Sequence, residues 1–284
     1  MSWITLALLS ALFGSIARVL QKVLLSNKKG DAYALGFVFQ TIVALIFLIY
    51  TLATNSLEFP NITDLWVNLI VMTIFYSLGN IFTFKAFKLA DASEVAVIFS
   101  SSSIWAIISA SVLLGERLKA SNYLGILLIV SGIVVISITR SKWKLSSGHL
   151  YAVAGAFLFG VAFINDAYII GRCNSIASYM IVAFTLPGIF TLFVKPSSIK
   201  AIPHYFDRAT ISKLIICCII YSLSSITIFG AYKAGGMASI ISPLQQLSII
   251  TTTILSYIFL KERNRIPNKI IGSVLAFIGA VLLI

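Results

Sequence analysis

The chain has 284 residues, of which 59% are hydrophobic and only 11% charged, with a mean hydropathy of +1.02. Soluble domains carry roughly a quarter charged residues, so this composition excludes a soluble globular protein and describes an all-helical, polytopic membrane protein. A net charge of +12 would suggest nucleic acid in a soluble chain, but here the basic residues cluster in short breaks between apolar runs, and no nucleic-acid partner is expected.

Apolar runs long enough to cross a bilayer predict ten spans: 3–25, 33–54, 64–85, 93–114, 121–138, 147–170, 176–194, 211–233, 237–260 and 267–284. The first has no basic leader and no small-residue cleavage site and is expected to stay in place as a helix. It carries Arg18 and Lys22 late in its length. Arg18 lies roughly 10 Å below the membrane surface, where a guanidinium costs at least about 2.5 kcal/mol unless it meets water or a partner. It is therefore a candidate substrate-binding residue, with snorkelling as the bland alternative; Lys22, one turn nearer the surface, is expected to snorkel. The third and fourth spans offer Tyr76 and Asn80, then the run Ser100 to Ser103 with Trp105, and Gln40 lies in the second. Asn165 and Asp166 come late in the sixth span, Tyr221 in the eighth, and Gln245 and Gln246 in the ninth. Asp166 is read either as an interfacial helix-end carboxylate or as a coupling-proton site. The neutral polar groups serve equally as interhelical glue or as solute contacts.

The chain nearly repeats itself. Tyr76-Ser77-Leu78 with Phe84, Ala86 and Lys88 returns as Tyr221-Ser222-Leu223 with Phe229, Ala231 and Lys233, and Phe13-Gly14 returns as Phe159-Gly160. Gly115-Glu116-Arg117-Leu118, followed by Gly125 and Gly132, is echoed by Lys261-Glu262-Arg263 with Gly272 and Gly279. Two copies of one unit, 1–140 and 141–284, follow. Five spans per copy would turn the second copy upside down relative to the first. Glu116 and Glu262 each sit between two helices and are expected to cap the helix that follows.

Fourteen Lys and Arg residues fall in the breaks after the odd-numbered spans, against little beyond Arg117, Lys119 and Arg172 elsewhere. This bias of roughly four to one puts the first set in the cytoplasm and both termini outside. Gly272, Ala276 and Ala280, and Ala152, Ala156 and Gly160, form small-residue ridges that predict close packing inside the bundle, with a weak homodimer seam as the lesser alternative to a monomer. His149 and His204 are expected at the surface; Cys173, Cys217 and Cys218 have neither disulfide nor metal spacing, and no cofactor is expected.

These paired five-span units, each with a Gly-Glu-Arg-like knot and a glycine-punctuated closing helix, resemble the EamA-like branch of the drug/metabolite transporter superfamily. The resemblance implies a carrier for small metabolites or drug-like solutes in the bacterial cytoplasmic membrane, working by alternating access, with its pathway lined by the first, third and fourth helices of each half. It also implies cytoplasmic termini, where the charge count points outward; the charges are followed here. The serine run replaces a proline often found midway along the family's fourth helix, while Pro243 remains in the second copy. No nucleotide-binding Gly-x-x-x-x-Gly-Lys loop, His-Glu-x-x-His or Gly-x-Ser-x-Gly is present, so ATP drive and enzymatic chemistry are disfavoured. A non-transporting scaffold or receptor is the alternative.

Overall fold

A computed structural model describes residues 2–26, 30–59, 61–114, 120–139, 142–143, 146–170, 172–234 and 238–282. In chain order its helices are α1 (Trp3–Leu25), α2 (Ala32–Ala53), α3 (Ile62–Leu89), α4 (Ala92–Phe99), α5 (Ser102–Leu114), α6 (Ala120–Ser137), α7 (Ser147–Ile170), α8 (Ile176–Val194), α9 (Arg208–Lys233), α10 (Ala238–Phe259) and α11 (Ile266–Leu282). A two-residue antiparallel ladder joins Ile138–Thr139 to Lys142–Trp143 between α6 and α7. Six of the helices, α1, α2, α3, α7, α8 and α9, contain apolar stretches long enough to cross a membrane.

The helix starts follow from local chemistry. Asp31 accepts the amides of Tyr33 and Ala34, both at 2.9 Å, and Asn61 accepts that of Thr63 at 3.1 Å; each satisfies donors the first turn would leave bare. Outside faces are apolar, with Leu45, Ile49, Leu127, Phe193 and Phe259 exposed. Inside, small residues let helices approach. Ala7, Ser10, Ala11, Ser15 and Ala17 form the buried stripe of α1, which packs on α9 and α10.

Both small-residue ridges lie within the bundle. A Cβ on Gly132 would sit 2.7 Å from the Gly272 carbonyl, and one on Gly279 would sit 2.7 Å from that of Gly125, so α6 and α11 touch backbone to backbone. Gly160 of α7 meets the Ser102 carbonyl and Trp105 of α5 just as closely.

The largest packing pairs correspond when the two halves are exchanged. α1 packs on α9 as α7 packs on α3; α1 packs on α10 as α7 packs on α4 and α5; and α2 with α8, like α6 with α11, are self-corresponding pairs. Two ends result. At the basic end, Tyr205 donates to the Asp31 carbonyl, Lys195 pairs with Asp31, and Lys88 donates to the Gly30 carbonyl. At the opposite end Glu58 accepts from Asn174, and the Glu58 amide donates to Ser178.

Two expectations are corrected. The predicted span 93–114 is not one helix: it breaks at Ser100-Ser101, whose hydroxyls donate to the carbonyls of Val97 and Ile98 at 2.6 and 2.7 Å. Serine competes with the backbone for its own turn, which ends a helix where leucine would continue it. The connector between α8 and α9 is largely a 3-10 stretch, Pro196–Phe206, anchored by the fully buried Tyr205. His149, expected at the surface, is only 4% exposed, because Glu94 supplies the polar partner that makes its burial tolerable.

Candidate functional site

Near the ends of α7 and α8, inside the bundle, a carboxylate sits in a tyrosine clamp. Asp166 of α7 is 6% exposed, and its two oxygens accept hydrogen bonds from two hydroxyls. Tyr179 of α8 donates at 2.5 Å, and Tyr76 of α3 donates to the other oxygen. Beside it Asn68 and Asn165 exchange amide hydrogen bonds at 2.7 and 2.9 Å and fix α3 against α7. Near the end of α7, the Asp166 carboxylate is turned toward α3 and α8. Tyr179 went unnoticed in the sequence. Its second-half neighbours give it no polar signal, and only the packing of α8 on α3 brings it to Asp166.

Aromatic rings wall this region. Phe159 stands edge-on to Tyr76 and to Phe99, with ring centres 5.3 Å apart in each case, and Tyr221 meets Phe39 at 5.0 Å and Phe184 at 5.9 Å. Tyr221 lies within electrostatic reach of both Arg18 and Asp166, and Tyr76 of Tyr221. The matched tyrosines of the two halves thus stand between a cation and an anion. Arg18 is half-buried, with no hydrogen-bond or ion-pair partner among the described residues. Lys22, in contrast, is partnered: its ammonium caps the end of α3 at the carbonyls of Phe87 and Ala90, both at 2.6 Å.

The remaining sequence candidates spread out. Gln245 donates to the Ala7 carbonyl at 3.0 Å, tying α10 to α1, and Asn80 reaches Gln40 at 3.5 Å, while Gln40 bonds its own helix at the Gly36 carbonyl. Ser100 is buried in its own turn, Ser103 is half-buried, and Trp105 packs at right angles on Phe157, ring centres 5.0 Å apart. Glu262 caps a helix, though not its own: it accepts the amides of Ala92 and Ser93, at 2.8 and 3.2 Å, at the start of α4 in the other half. Glu116 and the side chain of Gln246 lie outside the described residues. At the end opposite the basic loops, a cavity of about 660 Å³ opens among Phe47, Tyr50, Glu58, Asn174, Met180 and Phe229.

The model of the EamA-like transporter family matches residues 1–138 and again 146–284. The chain belongs to the EamA-like transporter family. A Sinorhizobium protein described as an uncharacterized transporter in the cobO 3' region is 29% identical over 142 residues, which are 48% of this chain and 97% of that protein. A solved structure, described only as the crystal structure of a protein, aligns with a TM-score of 0.55 at 17% identity over 96% of this chain and 95% of its own. At that identity the likeness concerns the fold. Membership in this family makes the chain a membrane transporter, and a small-molecule solute its partner.

Proposed function

We propose that this EamA-like protein is a secondary carrier of ten crossings, built from two inverted five-helix units, 1–140 and 141–284, and working by alternating access in the bacterial cytoplasmic membrane. The tandem pair α4 and α5 then acts as one crossing, and α6, α10 and α11 complete the set. The half-exchange symmetry of the packing supports this reading, as does a relative that one half of the chain nearly covers end to end. The basic end faces the cytoplasm.

The solute is a small molecule bearing a carboxylate. The observation that carries this is Arg18, a guanidinium within α1 with Tyr221 beside it and no acidic partner among the described residues. A half-buried arginine within a membrane helix and without an anion is an incomplete pair, and a carboxylate solute completes it through charge-assisted hydrogen bonds. Asp166 is the coupling group. Ionised, it accepts from both tyrosines; once protonated, its own O–H needs an acceptor, so one tyrosine hydroxyl must turn its hydrogen away and accept instead, which changes the hydrogen bonding among α3, α7 and α8.

Purified protein in liposomes tests both parts. Saturable flux of a carboxylate solute is expected, whereas flux no greater than in empty vesicles for every solute that stabilises the protein would favour the scaffold or receptor alternative. Asp166→Asn should stop proton-driven accumulation and spare solute exchange, which need not cycle the empty carrier. Loss of both modes would assign Asp166 to binding or folding.

A further inference from the structure

At the basic end the two halves meet through charges that are buried wholly or in part. Glu94 at the start of α4 holds Arg265 at 2.5 Å and His149 Nε2 at 3.1 Å. Lys269 of α11, only 3% exposed, reaches Asp91 at 2.5 Å and Glu262 at 3.7 Å. Glu262 in turn takes the α4 amides and the Ser93 hydroxyl, the latter at 2.7 Å. Arg265 also donates to the Ile136 carbonyl at 2.8 Å, which pins the same turn to the end of α6. Lys22 lies within electrostatic reach of Asp91, Glu94 and Glu262. With the imidazole counted as neutral, three carboxylates balance three cations, and each ion pair joins the first half to the second or binds Glu262 within that junction.

The opposite end cannot build the same set. Under the register that places Tyr76 on Tyr221, Asp91 falls on Gly236 and Glu94 on Ser239; under the register that places Glu116 on Glu262, Lys269 falls on Tyr123 and His149 on Trp3. The packing agrees with this asymmetry. At the basic end α4 contacts α10, α6 and α11, whereas the cavity of about 660 Å³ lies at the other end.

We infer that the Asp91–Glu94–His149–Glu262–Arg265–Lys269 cluster is a one-sided ionic lock that holds the carrier shut at its basic end, so that the solute-free protein rests open at the other. That it parts once in every transport cycle rests on the carrier reading above. Such a lock can be opened, because burial costs each ion much of what its partner returns, and opening gives the charges back to water. Removing one charge strands its partner in the closed state yet leaves the hydrated open state almost unchanged. Removing both members of a pair does not.

The test is a distance measurement between spin labels at the exposed positions Leu89 and Asn264, in protein whose native cysteines are replaced, in liposomes without solute. The parent should show one short distance. Glu94→Gln should raise a longer population by about tenfold relative to the short one, and Glu94→Gln with Arg265→Gln should return most of it. Should Glu94→Gln fail to fold, Asp91→Asn, whose side chain is 35% exposed, should give the same shift, reversed by exchanging the charges of Asp91 and Lys269. A parent-like distribution in the single variants, or a double variant as open as the single, overturns the lock. Flux measured on the same samples keeps the two readings apart: a shift without flux of any solute retires the carrier and keeps the lock, and full flux without a shift retires the lock.

Discussion

Two charged residues within the bundle differ in what they already have. Asp166 has both oxygens satisfied by tyrosine hydroxyls, whereas Arg18 has no anion among the described residues. Arg18→Gln should weaken a carboxylate solute by about 1.5–3 kcal/mol, the worth of a charged hydrogen bond, and leave a neutral analogue nearly unaffected. Binding by calorimetry or by thermal shift checks this, and equal losses for both solutes would make Arg18 structural. Asp31, outside the membrane, gives a pH signature. Burial alone would push its carboxyl up, but the Ala34 amide, Lys195 and the Tyr33 amide together hold it below the usual carboxylate range. A lowered folded pKa stabilises the fold above the unfolded value and is lost as pH falls through the folded one. Melting temperature should therefore drop as pH falls from about 5 toward 3, and Asp31→Asn should flatten part of that drop.

At the scale of elements, glycine decides how close α6 and α11 come. A side chain at Gly132 would meet the Gly272 carbonyl at 2.7 Å and the Ala276 amide at 3.2 Å, both backbone atoms that cannot swing aside. Gly132→Val should cost about 1–3 kcal/mol, read as a lower melting temperature in detergent, while Gly230→Ala, whose Cβ would meet only Leu6 at 3.5 Å, should change little. The break between α4 and α5 has a similar local origin. Ser100 and Ser101 turn their hydroxyls onto carbonyls three residues back, and the chain restarts as α5. That break leaves α4 a short helix whose start is capped from the other half by Glu262. A serine run in an apolar stretch signals such a break only once its hydroxyls are seen to bond inward; read along the chain, it equally suggested a polar lining.

For the whole molecule, the alternation of helices gathers the basic breaks at one end, and the topology is open to direct test. A cysteine at Asn264 should resist an impermeant reagent on intact cells, while one added after Ile284 should react. The reverse pattern would place the termini in the cytoplasm and turn the ionic lock to face outward.

The sequence by itself determined the class and the family. Apolar runs, sparse charge and the doubled Glu-Arg knot are properties of short windows, and a bilayer or a family pattern reads them without knowing what touches what. Only the tertiary structure decided which polar groups meet. Tyr76 with Asp166, Glu94 with His149, and Glu262 with the start of α4 are each joined across segments distant in the chain, by distances that no local spacing encodes. Inside a bundle that withholds water, the free energy of a polar side chain depends on its partner, and the partner is chosen by packing.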